Sequence, residues 1–86
     1  MEKYIEFIKD YKDCCKYLEN IDNYDYEILS GWALNRYNNW IKKDNKYVFS
    51  VTVGNIPPKN VREKAINSLM NFKSTLEKIA VIEGIK

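Results

Sequence analysis

The stretch NNWIKKDNKYVFSVTV, residues 38–53, decides the fold. In its second half Tyr47, Phe49, Val51 and Val53 alternate with Val48, Ser50 and Thr52. A period of two predicts a strand with one apolar face. The KDNK run at 43–46 carries turn chemistry. A lone strand leaves backbone donors and acceptors unpaired, which is costly once buried. Its nearest mate is Asn39–Lys43, folded back across Asp44 and Asn45 as a β-hairpin. The same strand of a second molecule is the other candidate, and it would make the protein a homodimer.

The segments on either side read as helices. Over residues 2–19, Tyr4, Phe7, Tyr11, Cys14 and Leu18 recur at spacings of 3, 4, 3 and 4, with Ile5, Ile8 and Cys15 widening the stripe. Glu6, Lys9, Asp10, Lys12, Asp13 and Lys16 occupy the other face, which predicts a solvated surface. ENIDNYDYE, residues 19–27, interrupts the pattern with turn and cap formers, and Asp25 is placed to cap a helix starting at Tyr26. In that second helix Leu29, Ala33, Tyr37 and Ile41 repeat every four residues, beside Ile28, Trp32 and Trp40. Asn38 and Asn39 predict its end. Gly31 weakens it by roughly 1 kcal/mol relative to Ala and predicts a close backbone approach.

A long third helix is expected from Pro58 to about Glu83, with Val61, Ala65, Leu69, Phe72, Leu76 and Ile79 as its stripe and Ile66, Met70, Ala80 and Ile82 broadening it. Asn60 and Glu63 form a capping-box pattern that competes with Pro58 as the start. Gly84 suits the left-handed position after a helix. About 24 residues of helix would span roughly 36 Å, longer than a small globule is wide. That length predicts an overhang or self-association. The expected fold is therefore α+β and mostly helical: two N-terminal helices, a short β-hairpin and a long C-terminal helix, in one domain over residues 1–86.

The chemistry inventory excludes more than it offers. The 86 residues contain no histidine, which removes the commonest general base and metal ligand. Cys14 and Cys15 are adjacent, geometrically unsuited to a disulfide and too few for a zinc site, so both are expected in the core. Two thiols and an N-terminus that alternates apolar and charged residues predict a cytoplasmic protein without a membrane span. No phosphate-cradling glycine motif occurs, and Pro57 and Pro58 delete donors where a cradle before the third helix would need them. No enzyme activity, metal or cofactor is expected.

VTVGNIPPKNVREKAINSLM, residues 51–70, resembles the first strand, turn and helix of RNA-recognition-motif domains, a family that implies base stacking on a sheet. Only 35 residues follow Val51, too few for the rest of that fold, and Thr52 stands where the motif has an aromatic. With YVFSVTVGNIP leading in, the same region is similar to a strand-to-helix element of tailed-phage portal proteins, over about a quarter of the chain.

Two surfaces remain. The net charge of +2 divides into −4 over residues 1–27 and +5 over 36–64, with +1 in the tail. Such a split marks either two different surfaces or attraction between neighbouring elements. The acidic segment offers Glu19, Asp22, Tyr24, Asp25, Tyr26 and Glu27 to a basic protein partner, tyrosine giving contact area at low entropic cost. The segment 36–49 interleaves Arg36, Lys42, Lys43 and Lys46 with Tyr37, Trp40 and Tyr47, in the manner of a wing that binds phosphates and stacks on bases. Lys, Asn, Ile and Tyr make up 39 of the 86 residues, and their codons point to an AT-rich genome. By elimination the sequence reads as a small non-catalytic binding protein. The expectation is a phage- or mobile-element-encoded inhibitor that contacts a host protein or complex, such as a defence machine, in fixed stoichiometry. A DNA-binding accessory protein is the alternative.

Overall fold

The structure, a computed structural model, describes residues 2–43 and 58–84. It contains three α-helices: α1 (Glu2–Glu19), α2 (Tyr26–Lys43) and α3 (Val61–Glu83), with a short 3-10 turn at Ile21–Asn23 between the first two. No strand occurs among the described residues, so the α+β expectation is corrected to all-α. The strand read over 46–53 lies outside the described residues. Its proposed hairpin mate does not: Asn39–Lys43 forms the last turn of α2.

The reason α2 runs past Asn38 and Asn39 is tertiary. Asparagine costs a helix only a few tenths of a kcal/mol against Ala, and packing of a buried face outweighs that. Trp40, beyond the asparagines, is fully buried. Its ring meets Phe7 edge-to-face at 6.4 Å, and its indole N–H donates to Asp10 Oδ2 at 2.9 Å. Asn39 adds a side-chain bond of 3.0 Å to Asn35 Oδ1, one turn back.

The caps follow the local chemistry of the sequence. Asp25 Oδ1 accepts from the backbone N–H groups of Glu27 and Ile28, at 2.9 and 3.2 Å. At α3 the Asn60 side chain accepts from Glu63 N at 2.9 Å, and Glu63 reaches back to Lys59 N at 2.7 Å. That box wins over Pro58, which stays outside the helix. Gly84 takes φ 69°, and its N–H turns back to the carbonyls of Ala80 and Val81.

Ion pairs at the two ends fix the helix directions. Lys43 meets Glu6 at 2.8 Å, and Lys3 meets Glu83 at 3.6 Å, so the ends of α2 and α3 both lie beside the start of α1. At the opposite end Arg62 meets Asp22 at 2.7 Å, between the first two helices. Hence α2 and α3 run parallel and α1 antiparallel to both. At 1.5 Å per residue, α3 is about 35 Å long. The molecule measures 36 × 26 × 20 Å, so α3 is about as long as its longest dimension.

The core gathers Phe7, Cys14, Leu29, Ala33, Trp40, Ala65, Leu69, Phe72, Leu76 and Ile79. An edge-to-face aromatic series crosses all three helices: Tyr24–Tyr17 at 5.0 Å, Tyr17–Trp32 at 4.9 Å and Trp32–Phe72 at 5.5 Å. Several expected stripe residues fall outside the core; Tyr4, Ile5, Ile28, Val61, Met70 and Ile82 are exposed. These sit at the margins of their stripes, where the helix surface turns away from its neighbours.

Gly31 does not mark a close backbone approach: a Cβ placed there meets nothing within 4 Å. Gly31→Ala should therefore stabilise the protein by about 0.5–1 kcal/mol, by lowering the entropy of the unfolded chain. A rise in urea midpoint checks this, and a fall would place a neighbour against that face.

Candidate functional site

The basic-aromatic segment is largely turned inward. Arg36 Nε bonds both carboxylate oxygens of Asp10 at 3.1 Å, and its Nη2 bonds Oδ2 at 3.0 Å and also Glu6 Oε1. Lys43 holds the second Glu6 oxygen at 2.8 Å. Asp10, expected on the solvated face, is only 3 % exposed. The like-charge pair Glu6–Asp10 is thus bridged by one guanidinium, whose planar fork suits two carboxylates at once. Of the aromatics, Trp40 is core and Tyr37 packs half-buried against it. Lys42 is exposed, while Lys46 and Tyr47 lie outside the described residues.

The acidic segment is partly committed as well. Asp22 accepts from Arg62 Nε at 2.7 Å and from the Tyr26 hydroxyl at 2.7 Å. Asp25 is the cap of α2, and Tyr24 packs on Tyr17. Glu19 and Glu27 are exposed and make no ion pair among the described residues. The sequence's charge split is consequently met by attraction between neighbouring elements. Glu6, Asp10 and Asp22 of the acidic third are each paired with Arg36, Lys43 or Arg62 of the basic stretch.

These pairs set a pH dependence. Burial pushes the Glu6 carboxyl up, but hydrogen bonds from Lys43 and Arg36 outweigh it and hold it below its ordinary 4.5. The hydrogen bond from Arg62, then that from Tyr26, likewise lowers Asp22, an exposed carboxylate. A carboxyl lowered by folding contributes stability above its unfolded value and loses it as pH falls through the folded one. Urea midpoints should therefore fall as pH drops below about 4.5, and Glu6→Gln should flatten that fall. An equal slope in the variant would remove Glu6 as its source.

Both cysteines are free thiols. Cys14 is completely buried and its Sγ lies 3.1 Å from the Leu69 carbonyl, a weak hydrogen bond that ties α1 to α3. Burial, reinforced by the neighbouring Cys15, pushes its thiol up to about 12, which suits packing rather than nucleophilic chemistry. Among the described residues no three His, Cys, Asp or Glu side chains are grouped to hold a metal ion, and no helix is long and apolar enough to cross a membrane.

What the sequence did not signal is a furrow between the parallel helices α2 and α3. One stretch, about 480 Å³, has Ser30, Gly31 and Ser68 along it and Leu34 and Val61 at its edges. A second, about 240 Å³, continues past Leu34 and Ser68 to Tyr37, Asn71 and Phe72. Leu34 is 62 % exposed and Val61 50 %. Glu27 and Lys64 supply charge beside the apolar edge. Small side chains let a partner approach the furrow floor, and exposed aliphatics at a charged rim suit protein contact better than phosphate contact. The one available sequence signal was Leu34, an apolar residue off the four-residue repeat of α2.

Comparison with family models, with curated proteins and with solved structures finds no match.

Proposed function

We propose that this protein is a non-catalytic binding module that acts by fixed-stoichiometry contact with another protein, through the α2–α3 furrow. The observation that carries the reading is the pair of exposed aliphatics, Leu34 and Val61, edging a furrow of small residues. The internal engagement of Arg36 and Lys43 supports it further, since two of the four basic residues offered to nucleic acid are already held by carboxylates. The narrower form of the proposal is a cytoplasmic inhibitor of a host machine, encoded by a phage or mobile element. Its support is the small size and the AT-rich codon signature of the composition.

The test is capture from nuclease-treated host lysate with three baits: wild type, Leu34→Glu with Val61→Glu, and Lys42→Glu. One protein or complex should be retained in fixed ratio by wild type and by Lys42→Glu, and lost with the furrow variant. Exposed positions of this kind change stability little, and circular dichroism checks the fold of each bait. Capture that disappears with nuclease treatment would overturn the reading in favour of nucleic acid. Sedimentation showing a dimer that the furrow variant dissolves would make the furrow a self-contact instead.

A further inference from the structure

The first third of the chain is acidic as sequence, but not on every face. Glu6 and Asp10 turn toward α2 and are bound by Arg36 and Lys43. Exposed Tyr4 and Glu19 lie near its two ends, and along its outward side α1 carries Ile5, Lys9, Lys12 and Lys16, all exposed. Their spacings are 4, 3 and 4, which at 100° per residue confines the four side chains to about a 60° sector. None of the three lysines makes an ion pair among the described residues. Lys12 and Lys16 are a like-charge pair one turn apart, with Asp13 between them in sequence and Glu19 three residues beyond Lys16. Ile5, 66 % exposed, ends the row with an aliphatic anchor.

We infer that this row is a docking face for an acidic helix of a partner protein, with carboxylates at matching three- and four-residue spacings and an apolar residue set against Ile5. A row of alternating three- and four-residue steps is what one helix offers another lying along it. From Lys9 to Lys16 it runs about 10 Å, two turns, so discrete carboxylates on two turns of a facing helix match it. A nucleic-acid duplex fits less well. It presents one charge per about 1.7 Å of axis, and the row offers it neither an arginine fork nor a stacking aromatic between the lysines. The face shares no residue with the α2–α3 furrow, so it adds a partner chemistry to the proposed protein contact. It rests on that reading only in taking the partner to be a protein.

The experiment uses an alanine-based helical peptide carrying one leucine and three glutamates at the spacing of the row, a scrambled peptide of the same composition, and a short DNA duplex. Titration of the full chain should show binding of the matched peptide that weakens with salt and exceeds that of the scramble. Lys9→Glu with Lys12→Glu and Lys16→Glu should weaken it about tenfold or more, while Lys42→Glu changes nothing. A peptide with lysines in place of the glutamates should recover binding to the reversed variant, which shows that the variant is folded and that charge pairing is the cause. Equal binding of matched and scrambled peptides, no binding at low salt, or failure of the charge swap would overturn the inference. So would duplex binding that the reversal abolishes, which would hand the face to nucleic acid. Furrow variants should bind the matched peptide as wild type does, so failure of the furrow reading and failure of this one are distinguishable.

Discussion

Arg36→Met should destabilise the protein by about 3–5 kcal/mol, because it leaves the Asp10 carboxylate buried with its counter-charge removed. Arg36 supplies three hydrogen bonds to Asp10, two of 3.1 Å and one of 3.0 Å, and Asp10 has almost no access to water. The Trp40 indole N–H would remain as a partner, but a single neutral donor does not replace a guanidinium. For a chain of this length, total stability is about 4–13 kcal/mol, so the loss is a large part of the whole. Urea unfolding reads it as a drop in midpoint. The companion variant, Asp10→Leu with Arg36→Met, should recover part of the loss: an apolar pair removes both charges and their desolvation penalties, while the Trp40 indole N–H gives up its Asp10 acceptor. A single-variant cost below about 1 kcal/mol would mean that water screens the pair as it does at a surface.

Phe72→Ala is the second large effect, also about 3–5 kcal/mol. Phe72 is 1 % exposed and sits at the α3 end of the aromatic series, with Trp32 edge-on at 5.5 Å and 82°. Truncation removes a large buried ring, opens a cavity among parallel helices and forfeits an aromatic contact of about 0.5–1.5 kcal/mol. Phe72→Leu should cost clearly less, because most of the volume stays. The fluorescence of Trp32 gives a second readout: water entering beside it shifts the emission of Phe72→Ala to the red while that of Phe72→Leu stays near wild type. Equal losses in the two variants would place the cost in the ring contact rather than in the cavity.

Phe72 belongs to a stripe that is legible from spacing alone; Ala65, Leu69, Phe72, Leu76 and Ile79 were expected inside and are buried. Asp10 was read as part of a solvated face and Arg36 as part of a basic-aromatic surface, because each is a charge within its own segment. They meet across 26 positions of sequence, and no local pattern encodes that meeting. The same holds for the candidate sites. The acidic and basic segments were visible as charge, but their largest use, pairing with one another, depends on α1 lying against α2.

The sequence by itself determined what backbone chemistry within one turn can decide. Asp25 starts α2, Asn60 with Glu63 starts α3, and Gly84 ends it, because a cap is made of a side chain and the N–H or carbonyl groups next to it. It also determined the inward stripe of α3 from Ala65 to Ile79, since a period of 3.6 is a property of one helix alone. Tertiary structure decided the rest. The asparagines at 38 and 39 weaken a helix, yet α2 continues because Trp40 and Lys43 find Asp10 and Glu6 on another helix. The parallel course of α2 and α3, the furrow between them and the lysine row left on α1 follow from which helices are neighbours. That choice is made by burial and charge pairing between distant residues, whose energies exist only once the chain has brought them together.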